Sequence, residues 1–210
     1  MADILIYGDS NTHGTQPLVS IGAFTRHAPG DRWPDALAAA LPGHTVIAEG
    51  LPGRTSVHDD PVDGGTRNGI AVLPAILGSH LPLDLVIIML GTNDLKQRFS
   101  VSAFEIARSV ERLAKVVQAE VPGAAVMLVA PVPVAPAGVQ ATSFAGADMR
   151  QVGLDAALSE AAARLGASFV RGGDLGQVSP VDGIHWDAET HRAFGAAMAV
   201  PVRQALGLTS

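Results

Sequence analysis

Apolar residues fall along the chain in two kinds of run. Short, nearly unbroken β-rich runs occur at Ile4–Tyr7, Thr45–Ala48, Leu85–Leu90 and Val126–Val129, with a weaker one at Ser168–Val170. None alternates strictly between apolar and polar positions, which suits strands covered on both faces of a parallel sheet. Between them, apolar residues recur three or four apart and predict helices. Trp33, Leu37 and Leu41 mark a helix over Asp31–Leu41 that Pro42-Gly43 stops. Ile70, Leu73, Ile76 and Leu77 mark Asn68–His80, where Pro74 predicts a kink or a later start. Ile106, Val110, Leu113 and Val117 share one face of Ser102–Val121, and Pro122-Gly123 follows. Ala-rich Asp148–Leu165 ends at Gly166, and Ala188–Leu206 closes the pattern, with Pro201 expected to break it. Pro131–Ala147 reads as a long loop of the kind that serves a site. Strands alternating with helices predict right-handed crossovers. The expected class is α/β: a three-layer αβα sandwich with a central parallel sheet of about five strands, in one domain over residues 1–210.

Composition narrows the classes of function. Hydrophobic residues make up 48% and charged residues 16%, against a usual charged share of about 25%, so the chain is expected to fold. The low charge predicts a homo-oligomer or an apolar ligand site. The net charge is −6, and the 14 Lys and Arg are scattered singly, so no basic stripe faces a phosphate backbone and nucleic acid is not an expected partner. There is no cysteine, which removes disulfides, thiolate metal sites and cysteine nucleophiles. The N-terminus lacks a basic leader pattern, and no apolar run approaches the roughly 20 residues a bilayer needs; the expectation is a soluble, cytoplasmic protein without a membrane partner.

In parallel sheets ligands bind at the carboxyl ends of the strands. Those ends read Gly8-Asp9-Ser10-Asn11, Gly50-Leu51-Pro52-Gly53-Arg54 and Gly91-Thr92-Asn93-Asp94, and Asp182-Gly183-Ile184-His185 follows the last strand. Acyl transfer through serine needs a hydroxyl, an imidazole base, a carboxylate that orients it and donors for the oxyanion. Ser10 follows a strand beside a glycine, where the chain can turn sharply and present both hydroxyl and N–H. Gly53 offers a second backbone N–H, with Gly50 as the alternative, and Asn93 offers a side-chain amide. Asp182 and His185, three apart, let a carboxylate reach Nδ1 while Nε2 points at Ser10.

These four ordered blocks resemble those of the SGNH (GDSL-type) hydrolases. Arg54-Thr55, Asp59-Asp60-Pro61 and the stretch Ser79–Asp94 are similar to the bacterial arylesterase and acyltransferase branch of that family. The resemblance implies a flavodoxin-like SGNH fold and a cofactor-free serine esterase with no metal. It implies Ser10 as nucleophile, His185 as base, Asp182 as its orienter, and an oxyanion hole from the N–H groups of Ser10 and Gly53 and the amide of Asn93. It further implies small acyl or aryl esters as substrates, with transfer to alcohols or peroxide; carbohydrate O-deacetylation by the same residues is the alternative, and a non-catalytic module on the same fold the rival. A sugar site calls for stacking aromatics, and the chain has only 6 Phe, 2 Trp and 1 Tyr, which favours small esters. Asn11-Thr12-His13 and Leu51-Pro52-Gly53 depart from the branch pattern, which leaves substrate range open.

Plainer roles compete at several positions. Asp9 is expected to bond its own turn and Asp94 to cap the following segment. Asn93 also suits a left-handed turn. Asn11, Arg54 and Trp186 are candidate substrate contacts, with Arg54 alternatively bracing a loop and Trp186 alternatively packing. His58-Asp59-Asp60 reads as loop polar residues rather than a metal site, and His191 as a surface residue.

Overall fold

A computed structural model describes residues 1–208. In chain order the elements are β1 (Asp3–Gly8), α1 (Ser10–His13), α2 (Trp33–Ala40), β2 (Thr45–Gly50), α3 (Gly69–Ser79), β3 (Leu85–Met89), α4 (Ala103–Glu120), β4 (Ala125–Ala130), α5 (Ala147–Arg150), α6 (Leu154–Leu165), β5 (Ser168–Arg171) and α7 (Ala188–Ala205). The five strands form one sheet in the order β2-β1-β3-β4-β5, and every pairing is parallel.

Side chains alternate across this sheet, so each strand feeds two cores. Leu5, Tyr7, Val86, Ile88, Val126 and Leu128 pack with Leu73, Ile106, Leu113 and Leu158 of α3, α4 and α6. Ile4, Ile6, Leu85, Ile87, Met127 and Val129 pack with Trp33 and Leu37 of α2 and with Phe194, Met198 and Val202 of α7. The three central strands are covered on both faces, which explains their unbroken apolar runs. The phenol of Tyr7, inside the first core, donates to the carbonyl of Gly69 at 2.6 Å, and burial pushes its pKa up to about 12.

Three helix expectations change. Asp148–Leu165 is two helices, because Gly153 takes a left-handed conformation between α5 and α6. Pro201 does not break α7, which continues to Ala205. A proline removes one N–H from the helix ladder, and burial of Met198, Ala199 and Val202 against the sheet holds the last turns in place. Pro74 likewise lies inside α3. The segment Pro131–Ala147 is a loop, and an ordered one: Gln151 bonds both backbone groups of Val134, and Val132, Val134 and Phe144 are buried.

One buried charge ties two outer helices together. The Glu111 carboxylate on α4, only 4% exposed, lies 2.8 Å from Arg108, from Lys115 and from Arg164 of α6. Hydrogen bonds from Lys115 and Arg164, opposed by burial, bring its pKa down to about 2. A lowered carboxyl pKa contributes stability that is complete above the unfolded value, near 4.3, and lost as pH falls through about 2. Glu111→Gln is expected to cost about 1–3 kcal/mol at neutral pH. Denaturant unfolding should show that difference shrinking below pH 4; a constant difference would refute the ionic account.

Candidate active site

All four polar blocks meet at the carboxyl edge of the sheet. The first is built by a tight turn from β1 into α1. A Cβ at Gly8 would lie 2.0 Å from Thr12 Oγ1, so only glycine lets the chain fold back this closely. Asp9 caps α1, accepting from the N–H of Asn11 at 3.0 Å, and Ser10 opens the helix, where backbone N–H groups have no partner one turn earlier.

Ser10 Oγ lies 3.1 Å from His185 Nε2, and His185 Nδ1 lies 2.6 Å from Asp182 Oδ2. An ionised carboxylate only accepts hydrogen bonds, so Nδ1 carries the proton and Nε2 offers its lone pair to the serine hydroxyl. Asp182 is fully buried. Its Oδ1 accepts from the N–H groups of Ile184 and His185 at 3.0 and 2.9 Å, and its Oδ2 also accepts from Leu18 N–H at 2.7 Å. Burial works against its ionisation, but the bond to His185, that ring's charge and these N–H donors outweigh it and hold its pKa at about 2.

Gly53 sits in the turn Leu51-Pro52-Gly53-Arg54, closed by Arg54 N–H to Leu51 carbonyl at 3.0 Å. Its φ of +82° belongs to the third residue of a type II turn, a place for glycine after proline. Its N–H donates to no backbone carbonyl, and the residue lines the cleft together with Ser10, Asn93 and His185. Gly50 permits a close approach instead, since a Cβ there would lie 2.2 Å from the backbone of His13. Asn93 is not in a left-handed turn; among the described residues other than glycine, only Ser100 has a positive φ. Its amide nitrogen donates to Arg54 carbonyl at 3.1 Å, and its second hydrogen has only a long 3.5 Å approach to Asp9 Oδ2, so it can still serve another acceptor. Burial, partly offset by Asn11 N–H and His185, pushes Asp9 up to about 6.

The remaining candidates take these places. Asp94 does not cap the next segment; it accepts from the N–H of Ser56 at 3.0 Å and from its hydroxyl, pinning the second block to the third. Arg54 braces: Nη1 donates to Gly8 carbonyl at 2.9 Å and to Glu49 carbonyl, with the guanidinium 4.1 Å from the Tyr7 ring centre. Asn11 donates to Ile184 carbonyl at 3.1 Å and so joins the serine turn to the histidine loop. Trp186 packs against Phe194 and His191. None of Arg54, Asn11 and Trp186 lines the cleft. His58, Asp59 and Asp60 do not converge: His58 stacks on Phe99, Asp59 takes Asn68, and Asp60 pairs with Lys96 and Arg98.

The cleft holds about 320 Å³. Its apolar walls come from a loop the sequence did not single out, with Leu18, Ile21 and Phe24, and from Val139, Phe144 and Ile184. Lys96, Asp63 and Arg67 form a charged side that sequence reasoning also missed.

His191 is not a surface residue. It is fully buried behind the site, accepting from Trp33 N–H at 3.4 Å, with the His27 ring 5.0 Å away. Its spacing with Phe194, Met198 and Val202 places it on the buried stripe of α7. Burial, then repulsion from His27 and His185, holds its pKa down at about 3. An unfolded imidazole protonates near 6.5, so this stability is complete above about 6.5 and is lost as pH falls toward 3. At pH 5 the loss is about 2 kcal/mol. His191→Gln keeps an acceptor for Trp33 and should narrow the drop in melting temperature between pH 7.5 and 5; Asp9, whose raised pKa acts in the opposite direction between 3.8 and 6, is common to both proteins and cancels. An equal drop in both would refute the assignment.

Known proteins resemble the chain over nearly its whole length. The model of the GDSL-like lipase/acylhydrolase family matches residues 6–193. A carbohydrate acetylesterase from Sinorhizobium meliloti is 37% identical, with a TM-score of 0.92 over 97% of this chain and 99% of that one. The M. smegmatis aryl esterase, in its inhibitor-bound form, is 36% identical, with a TM-score of 0.93 over 98% of this chain and all of that one. No curated protein matches the chain. With a family model covering most of its length and esterases as structural neighbours, the chain belongs to the GDSL-like lipase/acylhydrolase family and is a carboxylic ester hydrolase of the SGNH type.

Proposed function

We propose that the protein hydrolyses small acyl or aryl esters through an acyl-enzyme on Ser10. The observation that carries this is the unbroken line of bonds from Ser10 Oγ through His185 to buried Asp182. In this reading Nε2 takes the serine proton as Oγ attacks the ester carbonyl. The imidazolium that forms is stabilised by Asp182, and it returns the proton to the leaving alkoxide. The N–H groups of Ser10 and Gly53 and the amide of Asn93 receive the developing oxyanion. Water, activated by the same imidazole, then releases the acid. The apolar walls support an alcohol or peroxide as competing acceptor, because they desolvate the acyl-enzyme. No step calls for a metal or cofactor. Exposed Val19, Ile21 and Phe24 support the homo-oligomer expected from the low charge.

A second reading, removal of acetyl groups from carbohydrate, is favoured by the likeness to the Sinorhizobium meliloti enzyme. The cleft supplies Phe24 and Phe144 as its phenyl rings, and Phe144 is buried, so Phe24 alone of the two is open to stack on a sugar. Relative kcat/KM on 4-nitrophenyl acetate and on an acetylated xylose separates the two.

Triad members act as a unit, so Ser10→Ala or His185→Ala should lower kcat by about 10⁴ or more with the fold intact, read as colour release from 4-nitrophenyl acetate. Wild-type turnover in Ser10→Ala would end the nucleophile assignment. Asn93→Gly should lose about 10²–10³ in kcat with little change in KM, because the oxyanion exists only after attack. An unchanged kcat in Asn93→Gly, with only the melting temperature lowered, would leave Asn93 a purely structural role.

A further inference from the structure

Arg67 is the charged cleft residue that ester chemistry leaves unused. Its backbone is fixed: the N–H and hydroxyl of Thr55 donate to its carbonyl at 3.0 and 3.2 Å. Its side chain runs along the Gly53 turn, where a Cβ on Gly53 would lie 3.2 Å from Arg67 Nε and 3.3 Å from its Cδ. The guanidinium stem therefore abuts the turn that presents the proposed oxyanion donor.

Among the described residues no partner answers this charge. Arg67 Nε is buried and donates to nothing, and among the described residues no carboxylate lies within 4.0 Å of its guanidinium. Asp63, on the same side of the cleft, has one oxygen on Lys96 and the other on Arg98; Asp60 is divided between the same two cations. Those four residues form a neutral set of two cations and two anions. Asp182 is committed to His185 and three backbone N–H groups. Arg67 is left as a cation on the cleft wall without a counter-charge among the described residues.

A guanidinium without a partner in a partly dry cleft gains most from a planar anion that meets its fork of donors. We propose that Arg67 selects esters bearing a carboxylate, which it binds while the ester carbonyl sits at Ser10; the inference rests on the Ser10 esterase reading. A single charge on the ligand fits one free cation. A phosphate dianion would bring a second charge toward Asp63 with no second free cation to meet it.

The test uses two pairs of esters on wild type, Arg67→Leu and Arg67→Lys. In the first pair the carboxylate is in the acyl half: 4-nitrophenyl hydrogen adipate against 4-nitrophenyl hexanoate. In the second it is in the alcohol half: 3-acetoxybenzoate against phenyl acetate, followed by acid release. In at least one pair, wild type should prefer the carboxylate ester in kcat/KM. Arg67→Leu should lower that ratio about tenfold to a hundredfold, mainly through KM, and Arg67→Lys should restore part of it. The pair that responds identifies the half of the ester facing Arg67. Melting temperatures report folding; should Arg67→Leu not fold, the comparison rests on Arg67→Lys, whose point charge lacks the bidentate fork and should lower the ratio severalfold. Turnover of neutral esters with a ratio indifferent to Arg67 would overturn this inference alone. Failure of wild type to turn over any of the four would overturn the esterase reading with it.

Discussion

The site depends on one buried carboxylate. Asp182 is fully buried, yet it stays ionised because four hydrogen bonds converge on its two oxygens. Two come from the backbone of its own loop and shape the turn that ends in His185. One comes from the His185 ring and selects its tautomer. The fourth comes from Leu18, which carries the apolar loop over the cleft. One charge thus sets the direction of the His185 ring, the conformation of its loop and the position of a cleft wall. A buried charge with this many donors is costly to move, which holds the three features in register.

The sheet supplies the other half of the arrangement. Its strand order reverses direction about β1, with β2 on one side and β3 on the other, and this switch point is where parallel sheets open a crevice. Ser10, Gly53 and Asn93 follow β1, β2 and β3, so the hydroxyl and the proposed oxyanion donors arrive from neighbouring strands. Their spacing is then locked from below. Arg54 clasps the ends of β1 and β2, Asn93 bonds the carbonyl of Arg54, and Asp94 grips Ser56. Arginine suits this clasp because its donors span two carbonyls while its face rests on Tyr7.

Only 16% of the residues are charged, and two groups of them gather into clusters. Glu111 gathers three cations, and Asp60 and Asp63 share Lys96 and Arg98. Leu18, Ile21, Phe24, Val139, Phe144 and Ile184 make the apolar part of the cleft wall. A lone cation such as Arg67 stands out electrostatically against such a background, since apolar walls screen it less than water does.

The amino-acid sequence by itself determined the strands, the alternation that makes a parallel sheet, and the four polar blocks at the strand ends. Those features rest on local patterns: unbroken apolar runs, helical spacing, and the turn chemistry of glycine and proline. Helix continuity was less legible, because Gly153 and Pro201 carry similar local warnings, and only packing against the sheet tells a real break from a tolerated one. Asn11, Arg54 and Trp186 looked like substrate contacts because they adjoin reactive residues in sequence. Neighbours along a turn point in different directions, and these three point into the protein. The partners that decide their roles, Ile184, the carbonyls of Gly8 and Glu49, and Phe194, lie elsewhere in the chain. The walls of the cleft were hidden for the same reason: Leu18, Arg67, Lys96 and Phe144 share no motif. Pairing across long sequence separations is set by the global packing of the two cores, and only the tertiary structure decides it.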